Sequence, residues 1–178
     1  MSQPLFEDTR PPSPPSQADE TTMLRSFLDF YRATLLKQVA GLDHEQLNRP
    51  FPPTTMTLAG LLKHMAHVED LWFSVRLNGA DHAPPFDTAP WDEDADWEFT
   101  SAVDDDPETL RTNLRDGIVR ANASIDGRSL DDLTVWARTQ SGKHISLRWI
   151  LVHMIEEYAR HCGHADLMRE AIDGKVDL

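Results

Sequence analysis

Five of the eight histidines in this 178-residue chain, His64, His67, His153, His161 and His164, fall in two stretches, 58–75 and 147–170. Glu157, His161 and His164 stand at i, i+4 and i+7, which on a helix places them one above another on one face. His161 lies inside the apolar stripe marked by Met154 and Ala165, and Glu157 sits at its edge beside Ile150 and Met154. A carboxylate that loses water without gaining a partner is costly, so Glu157 needs a cation, a donor or a metal. One metal ion would satisfy the carboxylate and the imidazole together. Two ligands from one helix require a third from another, and His64, on the flank of a second stripe near Leu61 and Val68, is the residue placed to supply it. His67 points almost opposite that stripe and is expected to be solvated.

Two imidazoles and one carboxylate make an incomplete shell, which leaves positions open to substrate or water; a structural zinc site takes four protein ligands. His153 and His164 flank the side of Glu157 and are read as catalytic acid or base, as spare ligands, or as half-buried surface histidines. The spacing alone is met equally by a surface Glu–His pair worth about 0.3 kcal/mol. Neither a pair of Glu-x-x-His elements nor His-Glu-x-x-His is present, which excludes the di-iron and zincin patterns.

The elements that must carry these residues are helical. Leu24, Phe27, Leu28, Tyr31, Leu35 and Val39 recur at three and four, predicting a first helix from Thr21 to Gly41. Leu58, Leu61, Leu62, Met65, Val68, Trp72 and Val75 predict a second, with Thr57 before it and Gly79 after it. Asp106-Pro107-Glu108 is a helix start, and Leu110, Leu114, Ile118, Ala121 and Ile125 give the third helix its inner face. Ser141-Gly142 marks an irregular hairpin within 130–145, and Ser146 begins a last helix that runs to about Gly174. Four long helices without a convincing sheet predict an all-α fold, an up-down four-helix bundle forming a single domain over 20–178. The Pro-rich residues 1–19 read as a disordered tail.

The net charge of −13 is unevenly placed. Residues 81–106 hold ten Asp and Glu and no Lys or Arg, so they supply −10 and the rest of the chain −3. This long acidic connection between helices two and three reads as a solvated loop or a lid, with short helical turns around Trp91 to Phe99. No basic stripe serves a phosphate backbone, which argues against nucleic acid, and no apolar run reaches the ~20 residues of a membrane span. One cysteine, Cys162, allows no internal disulfide, and with no secretory signal pattern the expected location is cytoplasmic. Cys162 reads as a packing residue. Glu69 reads as an acceptor orienting a ligand histidine or as a partner of Arg148, and Trp72, Trp91, Trp97, Trp136 and Trp149 as a pocket rim or as packing.

The segments LAGLLKHMAHVEDLWF (58–73) and LRWILVHMIEEYARHCGHADLMRE (147–170) resemble the signature helices of the DinB-like superfamily, which includes mycothiol-dependent maleylpyruvate isomerase. The resemblance runs from about Thr21 to Gly174. His64 matches the histidine of the second helix, and Glu157 and His161 match the two ligands of the fourth. His161-Cys162-Gly163-His164 matches a His-x-Gly-Gln-like motif, with His164 in place of Gln. The resemblance implies a divalent metal at His64, Glu157 and His161, zinc first, with nickel, iron or manganese as alternatives. It implies a small-molecule substrate, mycothiol or a related thiol as co-substrate, and transferase or isomerase chemistry, with a homodimer as the candidate assembly. Hydrolysis by an activated water, or a stress-related bundle that only binds a metal or small ligand, would use the same residues.

Overall fold

The computed structural model describes residues 13–176. Most of the expected tail, 1–12, lies outside the described residues; 13–19 precede the first helix. The elements are α1 (Glu20–Gln38), α2 (His44–Leu47), α3 (Leu58–Glu69), a π-helical continuation (Asp70–Arg76), α4 (Trp97–Thr100), α5 (Pro107–Ile125), β1 (Leu133–Ala137), β2 (His144–Ser146) and α6 (Leu147–Asp173). The four long helices and single small hairpin are the all-α class expected from the sequence. The chain divides into two compact units, one of residues up to 58 and from 151 onward, the other of residues 59–150.

In the first unit α1 begins at Asp19, whose carboxylate accepts from the Thr22 amide and so satisfies a donor the helix leaves open. Leu28, Leu35, Leu36 and Val39 are buried here, as are Leu151, Met154, Tyr158, Ala165 and Met168 of α6. Phe27, expected on the inner face, is 40% exposed; the buried arc runs through Arg32 and Leu36 instead. A polar tie spans α1 and α6: Arg169 Nη1 donates to the carbonyls of Gln38 (2.7 Å) and Ala40 (2.9 Å), while its Nε and Nη2 hold Asp173. Gln38 Nε2 in turn donates to the Cys162 carbonyl at 3.0 Å and to Asp166.

In the second unit α3 buries Leu61, Leu62, Met65, Ala66 and Val68, and all five residues expected on the inner face of α5 are buried. Asp106 caps α5 through the amides of Glu108 and Thr109, with Pro107 at the first helical position. Gly117 lets α5 come close: a Cβ there would stand 3.4 Å from Glu69 Cβ and 3.6 Å from the Ala66 carbonyl oxygen. The π-helical run was not legible as such, because its apolar residues keep the period expected of an α-helix. β1 and β2 pair antiparallel, Leu133 with Ser146 and Ala137 with His144, with an irregularity between. The hairpin packs under Gly79, whose positive φ suits glycine and whose missing Cβ would meet Val135 at 3.0 Å.

The acidic connection departs from the solvated loop expected. Phe86, Glu98 and Ala102 are buried, and Trp91 Nε1 donates to the Phe86 carbonyl at 3.1 Å. A segment that buries a phenylalanine is anchored to the core at that point whatever its net charge.

Candidate metal centre

On α3, one turn past Gly60, His64 lies with its ring stacked on Phe99 at 4.8 Å between centroids. Its Nδ1 stands 3.2 Å from Glu98 Oε1. Burial by itself would raise the Glu98 carboxyl, but the imidazoles of His64 and His67 outweigh it and hold the carboxyl down to about 2. Glu98 is therefore ionised at neutral pH and acts as acceptor, so Nδ1 of His64 carries the proton of this hydrogen bond.

His67 is not solvated. Its ring stacks on Trp91 at 4.5 Å and packs on Phe86 at 5.1 Å, and its side chain is 14% exposed. The acidic connection has folded over the helix face that periodicity assigned to water. His67 Nδ1 lies 3.7 Å from Glu98 Oε1, longer than a hydrogen bond, and both that nitrogen and Glu98 Oε2 are buried without a hydrogen-bond partner. Below it, buried Asp70 accepts from His82 Nδ1 at 2.8 Å and from the Ala83 amide at 3.2 Å. Lys63, 3% exposed, donates to Asp105 at 2.7 Å and Ser101 at 2.8 Å, its ammonium 4.1 Å from the centre of the Trp97 ring.

On α6 the i, i+4 spacing brings its residues together as expected. Glu157 Oε2 is 3.6 Å from His161 Nε2, and Glu157 Oε1 is 3.4 Å from His153 Nε2. His164 Nδ1 lies 3.4 Å from His161 Nδ1. His161 is buried and Glu157 half-buried. One ligand atom from each of His64, Glu157 and His161 can be chosen so that all three lie within 4.8 Å of one another. Two neutral imidazoles and a carboxylate, at that separation, are a donor set that a divalent ion of the zinc, nickel or iron kind takes. His153 and His164 are not in this group; each stands against one of its members.

Sequence reasoning missed Glu98. Its signal was an acid with an aromatic on both sides, Trp97-Glu98-Phe99, on a short helical turn, where the segment's other acids have an aromatic on one side at most. Arg148 is paired with Asp131.

A family model for mycothiol-S-transferase matches residues 23–174. The chain belongs to the mycothiol-S-transferase family. This family is DinB-like, as the two signature segments implied. Among solved structures, one described as the conserved protein of a locus from Enterococcus faecalis aligns with a TM-score of 0.69 at 19% identity, over 89% of this chain and 100% of that one. It has the same fold. Comparison with the curated proteins gives no match.

For a mycothiol-S-transferase family member the state of its own thiol matters, and Cys162 is inert. It is 4% exposed, and burial, then Asp166, push its thiol up to about 12. Adjacent helical residues diverge by about 100°, so Cys162 points away from the face of His161, as expected of a packing residue. Any thiol chemistry here uses a thiol brought in from outside. No helix among the described residues is long and apolar enough to cross a membrane.

Proposed function

We propose that this chain is a metal-dependent S-transferase in which His64, Glu157 and His161 hold a divalent cation, zinc first, and a low-molecular-weight thiol of the mycothiol kind is joined to an electrophilic small molecule. The observation that carries this reading is the meeting of those three donors within 4.8 Å in a chain whose family is named for thiol transfer. A divalent ion held there would lower the pKa of a thiol at an open position and supply thiolate at neutral pH. The chain's own residues do the rest. Glu98, accepting from His64 Nδ1, orients the ring so that Nε2 is the nitrogen that would meet the cation. His153 orients Glu157 from the far side. His164, beside His161, is placed to take the thiol proton as the new carbon–sulfur bond forms and to return it to the product. With Cys162 sealed, no side chain competes as sulfur nucleophile.

The test is metal content by mass spectrometry on protein purified without a histidine tag, for wild type and His161→Ala, followed by turnover with and without added thiol. Stoichiometric metal that is lost in His161→Ala, with turnover strictly dependent on thiol, supports the reading. A wild type that takes up no zinc, nickel, iron or manganese overturns it. Metal without thiol-dependent turnover makes the chain a binding protein, and turnover that persists without thiol makes it a hydrolase.

A further inference from the structure

Away from the histidines, the second unit gathers two arginines and three tryptophans at the end of the π-helical run. The Arg76 guanidinium is held between two indoles, its Cζ 4.0 Å from the centre of the Trp72 ring and 4.6 Å from that of Trp136. Arg138 lies over Trp149 at 4.6 Å, and Trp149 meets Trp72 at 5.3 Å between centroids. Arg138 and Trp149 are exposed and Arg76 half-buried. Among the described residues neither guanidinium has a carboxylate partner, although the chain carries thirty acidic residues.

Packing alone accounts for one arginine on a tryptophan, a contact worth about 0.5–1 kcal/mol at an exposed site. It does not account for two cations set close enough to repel in a place where one of them loses water. Burial and then Arg138 both push the Arg76 guanidinium below its usual range, the mark of a cation that lacks its counter-charge. π-helical turns, moreover, occur mostly at functional sites, and this one carries both Trp72 and Arg76.

We propose that Arg76 and Arg138, framed by Trp72, Trp136 and Trp149, bind the anionic group of a small organic substrate whose flat or apolar body lies on the indoles. The planar guanidinium forks suit a carboxylate or a phosphate ester, and the tryptophans supply an apolar floor. Along α6 Trp149 precedes Glu157 by eight residues, about 12 Å of helix. That is the reach of a small acid joined to a low-molecular-weight thiol. In the S-transferase reading, on which this one clause rests, the anion is the acidic end of the electrophile and the site selects electrophiles that carry one.

Direct binding to the full chain tests this, with 4-phenylbutyrate, phenyl phosphate and neutral 4-phenylbutyramide as probes, by calorimetry and by quenching of tryptophan fluorescence. At least one of the two anions is expected to bind at least about tenfold more tightly than the amide, and the better one names the anion class. Arg138→Gln, at an exposed position that folding does not need, is expected to abolish that preference, and Arg76→Gln to do the same if it folds. The preference persists in His161→Ala, so failure of the metal reading is seen separately. An amide that binds as well as both anions, the absence of saturable anion binding, or an unchanged preference in Arg138→Gln overturns the proposal.

Discussion

In the connection between α3 and α5 the buried charges are matched within the segment's own surroundings: Glu98 on His64 and His67, Lys63 on Asp105, Asp70 on His82. Around the hairpin between α5 and α6 two arginines lie on tryptophans with no carboxylate against either among the described residues. The buried charges of the acidic segment are thus paired while most of its other acids face solvent, and the corner with local positive charge is open, in a chain whose net charge is −13. Net charge describes how a chain behaves toward distant partners; what a site binds depends on which charges its own fold leaves unmatched.

The contrast breaks first at Phe86. If the acidic connection is packed and not solvated, Phe86→Ala lowers unfolding free energy by about 3–4 kcal/mol, whereas Val135→Ala in the exposed hairpin changes it by less than about 0.5 kcal/mol. Urea titration of both variants reads this, and equal small effects would return the connection to the status of a loop. Next is Lys63→Met, which strips the buried ammonium from Asp105 and Ser101 and is expected to cost about 2–3 kcal/mol. Glu98→Gln keeps the shape of that side chain but weakens its hold on His64, so metal affinity should fall about 10- to 100-fold with little loss of stability. Competition with a chromophoric chelator measures it, and unchanged affinity would sever Glu98 from the centre. The smallest effect belongs to the open corner: Arg138→Gln relieves repulsion on Arg76 but gives up the contact with Trp149, so unfolding free energy by urea titration should change by less than about 0.5 kcal/mol, with the repulsive part vanishing near 1 M salt.

Much of this was legible in the sequence because it is local. Helix period, the Asp106-Pro107 start, the Ser141-Gly142 hairpin and the i, i+4 pairing of Glu157 with His161 depend on residues a few positions apart, and the structure keeps each of them. What was not legible depends on residues brought together from afar. His67 was assigned to water because its own helix turns it outward, and nothing in 58–75 discloses that Trp91 and Glu98 come to cover it. Likewise nothing near Arg76 in the sequence discloses that Trp136, sixty residues on, comes to lie against it. The π-helical run hides for a different reason: it widens the turn without changing which residues are apolar.

The sealing of Cys162 has a consequence for durability. Under the proposed S-transferase function the chain would work among reagents that alkylate any accessible thiolate, and each such hit on a functional cysteine would end its working life. Here the only sulfur nucleophile of that kind is 4% exposed and held as the thiol up to about pH 12. Intact mass after incubation with iodoacetamide should therefore stay unmodified while the chain is folded and gain one adduct once it is unfolded: the fold itself acts as the thiol's protecting group.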